Sequence, residues 1–166
     1  MEQSYKFRDI EVNMIKILEI LLKNDNFKKY IYYTTDNPLG EADIPDNINL
    51  LDKHIILTPF SPKILDKERI TMFFNYRKSS FNGKALSSIM FVAEIVIPIE
   101  KWRFYNLWQW RWIRIADEIA MGVDQQRVSG IGEVDVGEPV PFSVNDEFSG
   151  VAIPITIHGT TLKGLR

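Results

Sequence analysis

The order of apolar and polar positions predicts that the chain begins with an amphipathic helix. Over residues 9–23, apolar side chains recur every three or four positions, and charged side chains occupy the opposite face. Asp9 is the predicted N-cap, and the run Asn24-Asp25-Asn26 predicts the end of this helix. The next segment, FKKYIYY, is compatible with a short helix or an extended piece.

Three predicted strands follow in the middle of the chain. Residues 54–58 form a short one, and residues 70–77 and 88–99 are expected to pair as an antiparallel hairpin. The dipeptide Asn82-Gly83 is a strong turn signal between them, although the predicted connection is longer than two residues. Residues 89–99 are apolar on both faces, which is typical of a central strand or of one covered by a partner subunit.

A second helix is predicted over residues 106–123, in a region that carries all four tryptophans of the chain. Its apolar positions form a stripe that should lie across the sheet, while Trp110 falls outside that stripe. The stripe comprises Trp108, Trp112, Ile115, Ala116, Ile119 and Val123.

The last two predicted strands cover residues 134–144 and 151–157, where apolar and polar positions alternate. Because Pro139, Pro141 and Pro154 lack a backbone N–H, these strands should contain an edge or a bulge. The predicted shared apolar face of the first strand consists of Val134, Val136, Val140, Phe142 and Val144.

Together these elements predict a single α+β domain over residues 1–166. An antiparallel sheet of about four to five strands packs against the N-terminal helix and the long tryptophan-rich helix. Residues 34–53, rich in Asp, Asn, Pro and Gly, form a long loop, read either as a surface excursion or as an arm reaching a neighbouring subunit. Residues 159–166 are a flexible basic tail.

Composition narrows the classes of function. The net charge of -2 offers no overall attraction for nucleic acid, and the absence of cysteine excludes disulfides and thiolate metal sites. The N-terminus lacks the apolar segment of a secretory signal, and no apolar run is long enough to span a bilayer. We therefore expect a protein made in the cytoplasm without a membrane partner.

The sequence predicts no cofactor, no metal site and no catalytic set. His54 opens a strand and His158 lies on the polar face of the last one, with no partner at metal-ligand spacing. Glu133 and Asp135 are the one carboxylate pair on a strand face, with Glu138 nearby, and such a pair can share a divalent ion. A metal-dependent nuclease or hydrolase using this pair is the alternative function, although the next strand lacks the lysine that such nucleases usually add.

The aromatic and arginine-rich segment 102–114 has three interpretations. It can pack in the core, the commonest place for such aromatic side chains, or it can stack nucleic-acid bases or form a protein interface, where aromatic and arginine side chains are both enriched. Trp110, Trp102 and Arg111 are the predicted interface residues within it. The strand edge at Pro139 and Pro141 is a second place where a neighbour is predicted to dock.

The order of elements resembles that of the tail-terminator and related neck proteins of tailed bacteriophages. The resemblance rests on the N-terminal helix, the sheet, the helix containing RIADEIAMGV and the terminal strands ending in FSGVAIPITIHG. It covers nearly the whole chain in layout but includes no diagnostic motif. It implies a small α+β fold and no transferable functional residue.

The resemblance implies a structural protein of the virion. Copies would form a cyclic homo-oligomer, a hexamer by the family pattern, that joins the tail tube to the head. DNA would pass through its lumen without sequence-specific binding, and tail-tube and neck proteins would be its neighbours. A non-viral protein-binding module is the remaining alternative.

Overall fold

The computed structural model describes residues 8–45, 48–82, 85–105, 108–124, 127–128 and 132–159. Three α-helices and nine strands occur in this part of the chain. The helices are α1 (Arg8–Lys23), α2 (Asp25–Tyr32) and α3 (Arg111–Val123). The strands are β1 (Ile55–Ile56), β2 (Thr71–Asn82), β3 (Ala85–Pro98), β4 (Arg103–Phe104), β5 (Gln109–Trp110), β6 (Arg127–Val128), β7 (Gly132–Val136), β8 (Val140–Ser143) and β9 (Phe148–Gly159).

Seven of the strands form one mixed sheet. Its order is β1-β2-β3-β9-β7-β6, and β8 pairs with β9 as well. β1 runs parallel to β2, whereas the other pairs are antiparallel. The α+β prediction is confirmed at this level, but the predicted count of four to five strands was too low. The two-residue strand β6 is too short to leave a periodic signal, and the long segment 134–144 divides into two strands.

The predicted hairpin between the second and third strands is confirmed. β2 and β3 pair from Thr71 opposite Val96 to Asn82 opposite Ala85. Only two residues therefore separate the strands, and the predicted longer connection was wrong because β2 extends to Asn82 and β3 begins at Ala85. Residues 83 and 84 themselves lie outside the described part of the chain. β3 lies between β2 and β9, as its two apolar faces predict.

The main core lies between the sheet and the three helices. One face of β3 contributes five side chains with no solvent exposure, and the apolar faces of α1, α2 and α3 pack against the same cluster. A smaller cluster covers part of the opposite sheet face, where Phe60 packs edge-on against both Phe73 and Phe142. The five core positions of β3 are Ile89, Phe91, Ala93, Ile95 and Ile97.

The predicted continuous strand 134–144 is interrupted by an inserted residue. Val136 lies opposite Ile155 and Val140 opposite Ala152, so four steps on one strand match three on β9. One extra residue turns the following side chains to the other sheet face. Phe142 accordingly packs in the smaller cluster rather than beside Val134, and the predicted common apolar face was wrong. The predicted edge is confirmed, since β8 pairs with β9 alone among the described strands.

The tryptophan-rich helix begins later than predicted. α3 starts at Arg111, and the preceding segment forms a small hairpin in which Arg103 lies opposite Trp110. Trp108 has φ 53° and is 85% exposed, so it does not belong to the core stripe. The spacing from Trp108 to Trp112 imitates a helical turn, but aromatic residues suit strands equally well. Residues 106 and 107 lie outside the described part.

Residues 34–53 have little regular structure where they are described, apart from a 3₁₀ turn at Pro38–Gly40. The first part lies along α2. The Tyr33 hydroxyl donates to the Ala42 carbonyl over 2.9 Å, and Lys29 donates to the Glu41 carbonyl and pairs with Asp43 at 2.9 Å. These contacts attach residues 41–43 to the chain's own helix. The predicted tail from residue 160 onward is outside the described residues.

The junction between α1 and α2 depends on one asparagine. The first helix begins at Arg8, so Asp9 lies in its first turn rather than at the predicted N-cap. Asn24 follows its last residue, as predicted for the end, and caps the next helix by accepting from the Phe27 N–H over 3.1 Å. Its side-chain amide donates to the buried Glu118 carboxylate over 3.0 Å, which links the junction to α3.

Replacing Asn24 with alanine should lower the free energy of unfolding by about 2 kcal/mol, because it removes a helix cap and one partner of a buried carboxylate. Urea denaturation followed by circular dichroism measures this change. Asn26→Ala is the matched control, since Asn26 is exposed and donates only one longer bond to Glu118, at 3.3 Å. Equal losses in the two variants would contradict the capping role.

Candidate interaction surface

Arg111 fixes the base of the β4–β5 hairpin. Its backbone N–H donates to the Trp102 carbonyl over 2.9 Å, and its fully buried guanidinium lies 4.3 Å from the centre of the Phe104 ring. The guanidinium N–H groups donate to four backbone carbonyls, those of Lys101 (2.9 Å), Tyr33 (3.3 Å), Thr34 (3.2 Å) and Thr35 (2.8 Å). One side chain therefore joins the hairpin, the start of α3 and the segment that follows α2.

Arg111 remains positively charged although it is buried. Removal from water lowers the pKa of the guanidinium to about 10, and Asp36 and Tyr30 act in the opposite direction. The side chain is therefore protonated at neutral pH, with carbonyl dipoles and an aromatic ring as its immediate partners. The prediction that Arg111 is an interface residue is corrected here, because a side chain without exposed surface cannot contact a partner of the folded chain.

The β4–β5 hairpin packs against the rest of the protein through the side chain of Phe104. Phe104 is buried, and its ring centre lies 6.1 Å from that of Tyr30 in α2. The next residue, Tyr105, donates its backbone N–H to the Asp36 carboxylate over 3.2 Å. The hairpin is thus held from both α2 and the following loop, so its outer side chains project from a fixed support.

Large apolar side chains cover the outer side of this hairpin. Tyr105 is 78% exposed and Trp110 51%, in addition to the almost fully exposed Trp108. The Arg103 guanidinium lies 5.4 Å from the centre of the Trp108 ring, and Trp110 stacks on Trp112 at 5.9 Å. We call this set the aromatic hairpin surface. It comprises Arg103, Tyr105, Trp108 and Trp110.

The other predicted interface residues have different surroundings. Trp102 is half-buried and packs against the main core, so it borders the aromatic hairpin surface without forming its centre. Pro139 and Pro141 are exposed at β8, on the other side of the sheet from β2. Sequence reasoning missed Tyr105 and placed Trp108 in the core. The paired, non-helical backbone around them is the feature that a periodicity argument could not detect.

The carboxylates considered for metal binding lie on an open strand face. Glu133 and Asp135 are exposed and lie opposite His158 and Thr156 of β9. Among the described residues, no three His, Cys, Asp or Glu side chains are grouped so that they could hold a metal ion. His54 is buried and its Nδ1 lies 3.2 Å from the Ile70 carbonyl oxygen, while burial lowers its pKa and favours the neutral ring.

Comparison with known proteins gives one family match. The sequence model of a family described as YomW matches residues 24–157, which is most of the chain and includes both the sheet and the aromatic hairpin surface. The description names no activity or partner. No curated protein matches the sequence. Among the helices of the described residues, none is long and apolar enough to cross a lipid bilayer.

Proposed function

The chain belongs to the YomW family, and we propose that it works by assembly, as a structural protein of a tailed phage particle. The aromatic hairpin surface carries this proposal. Exposed aromatic side chains grouped on a fixed support are characteristic of protein-binding sites. Tryptophan, tyrosine and arginine are also the residues that most often dominate the binding energy of such sites.

The proposed partner of the aromatic hairpin surface is a neighbouring structural protein. Trp108 and Tyr105 each present a large ring with few rotatable bonds, and Arg103 lies against Trp108. Burial of these rings would remove substantial apolar area from water at a small cost in side-chain entropy. Because the hairpin is already fixed by Arg111, little further ordering is required on binding.

The specific form that we propose is a ring at the neck or tail, similar to a tail terminator. Copies of the chain would surround a lumen through which DNA passes, and the aromatic hairpin surface would contact the tail tube or a neck protein. The slight negative charge of the chain would limit adhesion of the phosphate backbone. The resemblance in element order and the exposed hairpin support this form.

The test is whether the chain assembles and joins a particle. We expect light scattering and negative-stain microscopy of the purified protein, alone and with tail tubes from the same particle, to show rings at tube ends. Trp108→Ser should weaken tube binding about tenfold or more, as expected when a central aromatic contact is removed. Its unfolding free energy should stay within about 0.5 kcal/mol of the wild type, because the ring is exposed.

Met121→Ser is the matched control, since Met121 is also an exposed apolar residue but lies in the last turns of α3. It should bind tail tubes as the wild type does. A wild-type protein that stays monomeric and never joins a particle would refute the assembly function. Full binding by Trp108→Ser would refute the role of the aromatic hairpin surface.

A further inference from the structure

Basic and acidic residues are concentrated at opposite edges of the main sheet. Over residues 70–93, which include β2 and most of β3, every charged residue is basic: Arg77, Lys78 and Lys84. Over residues 132–159, which include β7, β8 and β9, the sequence contains five carboxylates and no lysine or arginine. β3 and β9 lie between β2 and the β7–β8 segment, so the two groups of charges lie at opposite edges of one sheet; Glu94 of β3 and Arg127 of β6 are the exceptions.

The basic side is an open strand edge. β1 pairs with β2 only at Met72 and Phe73, and no other described strand pairs with the outer edge of β2 beyond that point. Arg77 and Lys78 are exposed on this part of the strand. Arg77 is already paired with Glu94 of β3, which leaves Lys78 as the more available charge. We call residues 74–82 the basic edge.

The acidic side is also an edge. β8 pairs only with β9 among the described strands, and its Val140 is 59% exposed. Glu138 is exposed just before β8, and Glu133 and Asp135 are exposed on β7. β6 pairs with Gly132 and Glu133, and we call the open stretch that follows them, residues 134–143, the acidic edge. Its two prolines remove backbone donors, so a contact here would depend on side chains more than on a complete ladder of hydrogen bonds.

We propose that the basic edge of one copy of this chain binds the acidic edge of the next. This contact deepens the proposed function and rests on it, because it supplies the joint from which a ring is built. Two different surfaces on opposite sides of one subunit make a head-to-tail contact, which closes into a ring when the rotation between copies permits. Opposite charges would draw the correct edges together.

The same charges oppose the two symmetric alternatives. Two basic edges meeting each other would bring Lys78 of both copies together, and lysine on an open edge is a known barrier to such pairing. Two acidic edges would bring together carboxylates that have no lysine or arginine in the same segment. Like-charge contacts of this kind lower affinity. The head-to-tail arrangement is therefore favoured over a two-fold contact between two basic edges or between two acidic edges.

Charge reversal tests the proposed contact. Lys78→Glu and Glu138→Lys should each weaken self-association of the purified protein about tenfold or more in analytical ultracentrifugation at low salt. Glu138 is chosen over Glu133 because Arg127 lies opposite Glu133 in the sheet register. Lys63→Glu and Glu19→Lys are the controls, with the same charge changes at exposed positions outside both edges. They should assemble as the wild type does.

Mixing the two single variants is the decisive measurement. In a ring where the variants alternate, the basic edge of Lys78→Glu, now acidic, would meet the acidic edge of Glu138→Lys, now basic. Every remaining junction would keep its natural pair of Lys78 and Glu138. We therefore expect an equimolar mixture to regain assembly that neither variant shows alone, and the double variant to assemble by itself. Circular dichroism confirms that each variant is folded.

The outcomes separate this contact from the proposed function. Restored assembly in the mixture and in the double variant supports the head-to-tail contact. Wild-type rings that persist in both single variants, or single variants that dissociate without rescue on mixing, would overturn the contact while leaving the assembly function in place. A wild-type protein that is monomeric at every concentration and absent from particles would overturn the assembly function itself.

Discussion

Replacing Arg111 with methionine should lower the free energy of unfolding by about 3 kcal/mol or more. Methionine fills a similar volume but donates no hydrogen bond, so four backbone carbonyls would lose the guanidinium that they contact. Buried acceptors left without a donor each carry a desolvation cost, and hydrogen bonds to a charged group are the stronger kind. Urea denaturation monitored by tryptophan fluorescence measures the loss.

Arg111→Lys should restore little of this stability. A lysine ammonium has three donors at one point, whereas the four carbonyls surround a planar group and come from two separate segments of the chain. Arg114→Met is the control, because Arg114 is partly exposed, pairs with Asp117 only at 3.8 Å and donates a single side-chain hydrogen bond, to Gln109 at 3.2 Å. Its expected loss is below about 1 kcal/mol. Similar losses for Arg111→Met and Arg114→Met would show that Arg111 does not hold the hairpin.

The same residue shows where sequence reasoning stops. In the sequence, Arg111 looks like Arg103 and Arg114, since all three lie among tryptophans and none has a periodic signature. What distinguishes it is the set of carbonyls brought together from residues 33–35 and from Lys101. Such a set arises only when distant segments meet in the fold. A buried arginine bound by carbonyls therefore leaves no local trace that a pattern could detect.

For the strands, in contrast to Arg111, local sequence patterns were largely sufficient. The hairpin of β2 and β3 and the central position of β3 agree with local features of the sequence, namely the two apolar faces of residues 89–99 and the Asn82-Gly83 turn signal. The predicted assignment of side chains to sheet faces failed where one residue is inserted between Val136 and Val140. A bulge changes nothing in the alternating pattern itself, because the alternation resumes on the other face. The register with β9, which the sequence does not contain, decides which face that is.

The aromatic hairpin surface was predictable from the sequence in part only. Its composition was visible in the sequence, and Trp110 was correctly placed outside the core stripe of the following helix. The exposure of Trp108 was not foreseen, because helical spacing to Trp112 assigned it to the core. Its φ of 53° places it in the left-handed region, where residues with a side chain are uncommon. A periodicity argument does not detect such a backbone conformation. The exposure of Trp108 could therefore be found only from the structure.

Replacing Phe91 with alanine should cost about 3–5 kcal/mol, the range for large aromatic truncations in a closed core. Phe91 has no solvent exposure, stacks on Phe74 with ring centres 5.5 Å apart, and lies opposite Ile155 of β9. The helices on one side and the sheet backbone on the other leave little freedom to fill the cavity. For a chain of this size the melting temperature should fall by about 10 °C in a calorimetric scan.

Tyr76→Ala is the matched control for this core prediction. Tyr76 lies directly opposite Phe91 in the hairpin, yet the residue is 45% exposed, so the same truncation removes much less buried area than it does at Phe91. Its expected cost is about 1 kcal/mol or less. The comparison isolates burial from strand pairing, because both variants change one member of the same cross-strand pair. A Phe91→Ala protein as stable as Tyr76→Ala would show that this face of β3 does not carry the core.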